Sequence, residues 1–154
     1  QIFAARRLLE IGIIDEACEH CEAADTAALK GIVARENAAI QSGDRSGAIR
    51  LAGEFHVELA RVARNRPIQE LLRQLVAQSS LALALYEAPG HLLCVDDDHI
   101  DIITAVSAGD AAKSRDLMAK HLAKAEAEMK LEAPEDNNDL KSVFADVIDA
   151  RAGV

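Results

Sequence analysis

The chain has 154 residues, 50% of them hydrophobic and 28% charged, with a formal net charge of -9. This is enough apolar material for one buried core and too little length for two comfortable ones. So acidic a chain lacks the clustered Lys and Arg that neutralise phosphates, which argues against its holding a nucleic-acid backbone by itself.

No apolar run approaches the ~20 residues needed to cross a bilayer and no secretory signal is visible, so a cytoplasmic protein with no membrane partner is expected. The three cysteines are Cys18, Cys21 and Cys94. Cys18 and Cys21 fall one turn apart in a predicted helix, with no second CxxC or histidine pair at finger spacing, and read as reduced packing thiols. Because the chain opens at Gln1, already inside an amphipathic pattern, it reads as a piece whose upstream part is missing.

In chain order, Ile2, Phe3, Leu8, Leu9, Ile13 and Ile14 predict a helix over 1–23, or two helices bent near Gly12. Arg6 falls on that stripe, where a guanidinium either snorkels from the edge or reaches a buried anion. Asp25 or Thr26 is the expected N-cap of the next helix, with Leu29, Ile32, Val33 and Ile40 as its stripe and Ser42-Gly43 as its stop. Asp44 or Ser46 then opens a helix in which Ile49, Ala52, His56, Leu59 and Ala63 recur at i, i+3, i+7, i+10 and i+14. Ala52 and His56 therefore point inward together, with Glu54, Glu58 and Arg61 on the wet side.

Asn65-Arg66-Pro67 is a break, and the following helix carries Leu71, Leu72, Leu75, Val76, Leu81 and Leu85 as far as Tyr86. Its Ser79-Ser80 pair interrupts an apolar stretch; hydroxyls bonded back to the backbone are one explanation and a ligand pocket is another. Asp96-Asp97-Asp98 favours a helix N-terminus through the macrodipole and lacks the spacing of a calcium loop. His99 then shares a stripe with Ile102, Ile103 and Val106, and Gly109-Asp110 combines a stop with a new N-cap. From Ala111 to about Leu131, Leu117, Met118, His121, Leu122, Ala125 and Met129 face inward. Pro134 ends the bundle expected over 1–133, leaving an acidic tail, 134–154, with a short pattern of Leu140, Val143, Phe144 and Val147. Strand-like alternation is absent, so the expected fold is an all-α bundle of about six or seven helices.

His56, His99 and His121 come from three predicted helices, each on an inward face. Converging neutral imidazoles would make a site for Zn, Ni or a similar divalent ion, with positions left for water or an anion. The plainer alternative is three separate hydrogen-bonded core histidines. No GxSxG, HExxH, P-loop or GxGxxG is present to start a nucleophilic, protease-like, nucleotide-hydrolysing or dinucleotide-binding reading.

Several stretches resemble, in order and spacing, the FCD effector domain of FadR-type GntR transcriptional regulators. They are Phe3-Ala4-Ala5-Arg6-Arg7-Leu8-Leu9-Glu10, Gly53-Glu54-Phe55-His56 with Asn65 nine residues on, Asp98-His99-Ile100 followed by Ala105-Val106 and Gly109-Asp110, and Met118-Ala119-Lys120-His121-Leu122. The resemblance spans roughly residues 1 to 125. It implies a ligand-sensing, homodimeric helical bundle that follows a winged helix-turn-helix domain absent from this chain, through which any DNA contact is made. Metal-binding members use three histidines and an Asp one turn before the first, with a small carboxylate metabolite completing the shell. Here the histidine positions match His56, His99 and His121, whereas the Asp position falls on Ala52, which has no donor atom. Arg6 matches an arginine of the first helix that pairs with an effector carboxylate, and Asn65 and Ser79 complete the expected effector contacts. The competing reading is a small metal-dependent hydrolase or lyase built on the same histidines, which would need a general acid or base that the inward faces do not offer.

Overall fold

A computed structural model describes residues 1–86, 98–127 and 129, with side chains described for all of these but Tyr86. These residues form seven helices: α1 (Ile2–Gly12), α2 (Ile14–His20), α3 (Ala23–Ser42), α4 (Arg45–Val62), α5 (Arg66–Tyr86), α6 (Asp98–Ser107) and α7 (Ala111–Ala127). The all-α architecture expected from the pattern is the one observed. Cys94, Asp96, Asp97 and the tail 134–154 lie outside the described residues, so the expectations placed on them stand apart from the fold.

Helix boundaries follow local chemistry. The predicted bend near Gly12 is a junction at Ile13, which ends α1 in right-handed geometry and passes directly into α2. α3 is capped by Glu22, three residues before Asp25, the earlier of its two expected caps: the Glu22 backbone N–H donates to Asp25 Oδ2 at 3.1 Å, so Asp25 sits inside the first turn and closes it from within. Gly43 ends α3 at φ +76°, a conformation that costs a side-chain-bearing residue energy. Asp44 Oδ1 then accepts from Gly47 N–H at 2.9 Å to cap α4, and Asn65 Oδ1 accepts from Ile68 N–H at 3.2 Å to cap α5.

Packing between neighbours closes a ring. α3 lies against α4, α4 against α5, α5 against α1, α1 against α7, α7 against α6, and α6 against α3. Phe55, Leu59, Leu72, Ile102, Ile103, Met118 and Leu122 fill the interior and are almost completely shielded from solvent. Burial of each such side chain contributes about 1.5–3 kcal/mol. On α5 the inward face is Leu72, Val76, Ser79 and Leu83, at spacings of four, three and four. Leu71, Leu81 and Leu85, expected on that stripe, are 51–66% exposed because they fall off this arc.

The α4–α5 crossing depends on Gly53. A Cβ there would stand 2.7 Å from Val76 Cγ1 and 3.3 Å from Ser80 Oγ, so only the missing side chain lets α5 approach. Gly53→Ala should destabilise the domain by about 1–3 kcal/mol through overpacking against a stiff β-branched neighbour, even though alanine favours helix by about 1 kcal/mol; urea unfolding measures the balance. Asn65→Ala removes the α5 cap and should cost about 1 kcal/mol in the same experiment.

Candidate metal centre

α4, α6 and α7 each deliver one imidazole to the interior of the ring. His56, on the inward face of α4, shares its arc with Ile49 and Leu59; His99 stacks on Phe55 with ring centroids 4.1 Å apart. His121 faces inward one turn from Met118 and Ala125 on α7. Their Nε2 atoms meet: His121 Nε2 is 3.2 Å from His99 Nε2 and 3.3 Å from His56 Nε2. One ligand atom from each of the three lies within 4.8 Å of the others.

Each outer ring nitrogen faces a carboxylate. His56 Nδ1 is 2.5 Å from Glu10 Oε2, His99 Nδ1 is 2.9 Å from Glu36 Oε2, and His121 Nδ1 is 3.6 Å from Asp98 Oδ2. Of the three contacts only His99–Glu36 is a hydrogen bond; a carboxylate can only accept, so that hydrogen belongs to His99 Nδ1, and the same tautomer on His56 and His121 turns all three Nε2 lone pairs inward. Lone pairs this close repel unless a proton or a cation lies among them. Two nitrogens bonded to one ion at about 2.0–2.1 Å and tetrahedral angles stand roughly 3.3–3.4 Å apart, which the observed separations approach. The donor set therefore fits a borderline divalent ion.

Arg6 is buried, and its pairing explains why the guanidinium sits on an apolar stripe. Its Nε donates to Glu10 Oε1 at 2.7 Å and its Nη1 to Ser79 Oγ at 3.0 Å, while Cζ lies 5.5 Å from the Phe3 ring centroid. Ser79 Oγ in turn donates to Val76 O at 3.0 Å, the local backbone bond expected of a helical serine. Nη2 of Arg6 is buried with no partner. Glu10 thus joins the arginine to the first histidine.

A cavity of about 30 Å³ opens beside these groups, bounded by Arg6, Ala52, His56, Ser80 and His121 among others. Ala52 occupies its wall one turn before His56 and offers only a methyl. A roomier groove of about 530 Å³ on the outer side of α4 and α5, near Arg50, Val57 and Arg73, includes none of the histidines. The donor chemistry belongs to the smaller cavity.

Of the residues singled out in the sequence, His56, His99, His121, Arg6 and Ser79 lie together. Asn65 does not join them: its side chain caps α5, beside Arg61, Arg64 and Arg66. Missing from the sequence-based site are Glu10 and Glu36, which are 1% and 2% exposed. The signal was present: Glu10 is in register with Phe3 and Arg6, and Glu36 with Leu29, Ile32 and Val33, so both carboxylates sit where hydrocarbon is the rule.

Burial pushes the His56 imidazole down from its ordinary value of 6.5 to about 3, against the opposing pull of Glu10, and burial lowers His121 as well. Burial by itself raises the Glu10 carboxyl, but the neighbouring His56 and Arg6 outweigh it and bring it from 4.5 to about 2. Both shifts act in one direction. Below pH 6.5 the unfolded chain binds protons at these histidines that the folded chain refuses, and below pH 4.5 the same holds for Glu10, whose stabilisation is fully present above that pH; above pH 7 neither group makes stability depend on pH. Urea unfolding of the metal-free domain at pH 8, 6 and 4.5 should therefore show stability falling as pH drops through 6.5, with a smaller fall in His56→Ala.

A family model described as the FCD domain matches residues 1–124. A search of curated proteins found no match. Among solved structures, E. coli McbR/YncC superposes with a TM-score of 0.73 at 20% identity, covering 82% of this chain and 61% of that one. The superposition shows a shared fold, and this chain spans about 61% of that protein's length. With a family match over residues 1–124, most of its length, the chain belongs to the FCD domain family.

Proposed function

We propose that this domain senses a small carboxylate metabolite at a divalent metal centre held by His56, His99 and His121, with Arg6 and Ser79 as the organic side of the site. One observation carries the reading: three inward Nε2 atoms, each backed by a carboxylate, stand beside a buried arginine with an unused donor. A bound Zn or Ni ion would supply positive charge and open coordination positions. Ala52 leaves room where a fourth protein ligand would stand, so oxygen atoms of water or of an anion are the natural complement. Arg6 Nη2 is placed to receive a carboxylate oxygen while Nε stays with Glu10.

The cavity has room for only one or two waters. A metabolite must therefore favour a more open arrangement, in which α5 or α1 shifts relative to α4. That preference is what regulation needs, because a ligand moves an equilibrium only through different affinities for its two states. In a homodimer joined to DNA-binding domains elsewhere in a longer protein, the two arrangements would present those domains differently.

The hydrolase or lyase alternative is less well supported. Glu10, Glu36 and Asp98 are all turned toward the outer nitrogens of the histidines, which leaves none of them poised as a general base on the cavity side.

Elemental analysis of the purified domain should find about one zinc or nickel per chain, lost in His56→Ala. Citrate and acetate, tested as representative carboxylates, should raise the melting temperature of the loaded wild type. Arg6→Lys should keep the metal and lose most of that rise. Wild-type protein without stoichiometric metal would sink the metal half of the proposal; an equal ligand response in Arg6→Lys would sink the arginine's role.

A further inference from the structure

The charges around the three histidines do not balance in pairs. Glu10 faces Arg6, and Asp98 faces Lys124 at 3.5 Å. Glu36, from α3, has His99 as its one polar side-chain partner among the described residues, and its Oε1 is buried with no partner. A buried carboxylate without a cation is costly unless a positive charge lies close by. α3 contributes no histidine, and Glu36 interrupts the apolar face by which it packs on α4 and α6. With His99 neutral, as a metal ligand must be, the nearest place for a compensating charge is the meeting point of the Nε2 atoms, one imidazole away.

We infer that Glu36 is a positioning residue of the metal centre, orienting His99 and supplying from one layer out the negative charge that Ala52 cannot supply. This inference rests on the metal reading above. It explains how a centre with three neutral ligands and no ligating carboxylate still favours a divalent cation. The Glu36 Oε2 contact holds the His99 Nδ1 hydrogen, so the Nε2 lone pair stays aimed inward, and the anion raises the basicity of that nitrogen. Glu10 acts likewise on His56, although Arg6 already balances its charge.

Glu36→Gln separates charge from shape, because its amide oxygen can still accept the His99 Nδ1–H. Zinc affinity is measured by competition with a chromophoric chelator, alongside the melting temperature with and without zinc and the visible spectrum of the cobalt-loaded protein. Glu36→Gln should bind zinc about 10–100-fold more weakly and gain less in melting temperature from zinc, while the cobalt spectrum keeps the form given by three imidazoles. Glu36→Asp, which keeps the charge, should fall between wild type and Glu36→Gln. Equal zinc affinity in wild type and Glu36→Gln overturns the inference and leaves the metal reading intact. A wild type that binds no zinc overturns both. If Glu36→Gln lowers the metal-free melting temperature and Glu36→Asp recovers that temperature but no zinc affinity, Glu36 serves packing alone and the inference fails.

Discussion

The fold is organised around a polar cluster at the centre of an otherwise hydrocarbon interior. Three imidazoles approach through Nε2, and each has a carboxylate from α1, α3 or α6 within 2.5–3.6 Å of its Nδ1, hydrogen-bonded at His99. Histidines on α4, α6 and α7 thereby tie most of the helical ring to one point. Such a network is worth having only if its members are satisfied, since a low-dielectric interior strengthens a made hydrogen bond and penalises an unmade one equally. Among the described residues, buried atoms without a hydrogen-bond partner include Arg6 Nη2, Glu10 Oε2, Glu36 Oε1, and Nδ1 of His56 and of His121, with His20 Nδ1 apart from them. All but His20 belong to the site, so the deficit is concentrated there.

α1 has a double part in this arrangement. Through Arg6 it reaches Ser79 on α5, and through Glu10 it reaches His56 on α4. A single carboxylate, Glu10, therefore spans the organic and the imidazole sides of the cavity. The close α4–α5 crossing at Gly53 sets how near these two sides stand. Any enlargement of the cavity has to work against that crossing or against the Arg6–Ser79 bond, which gives the helices around the site a physical reason to move together.

The helical period made the inward direction of His56, His99 and His121 legible, along with that of Arg6. Ser79 was legible only as an interruption; its partner on α1 is 73 residues away and has no local signature. Glu10 and Glu36 obey the same periodicity, yet an acidic residue on an apolar stripe is more easily read as an edge position than as a buried one. Asn65 shows the opposite case, where a residue within a resembling motif proved to carry a local job, capping α5. Leu71, Leu81 and Leu85 were apolar and helical without being inward, because a long helix with many leucines has more apolar positions than its one contact arc can use.

By itself, then, the sequence determined the helices, the caps of α4 and α7, the face each histidine takes, and the absence of a donor at Ala52. Periodicity encodes the direction of a side chain from its own axis, and that is a property of neighbours within a few residues. Which faces meet was decided only by the tertiary structure. Bringing three Nε2 atoms together, and placing Glu10 and Glu36 behind two of them, depends on the order, tilt and spacing of helices far apart along the chain, from Glu10 on α1 to His121 on α7, and those are set by packing summed over the whole ring.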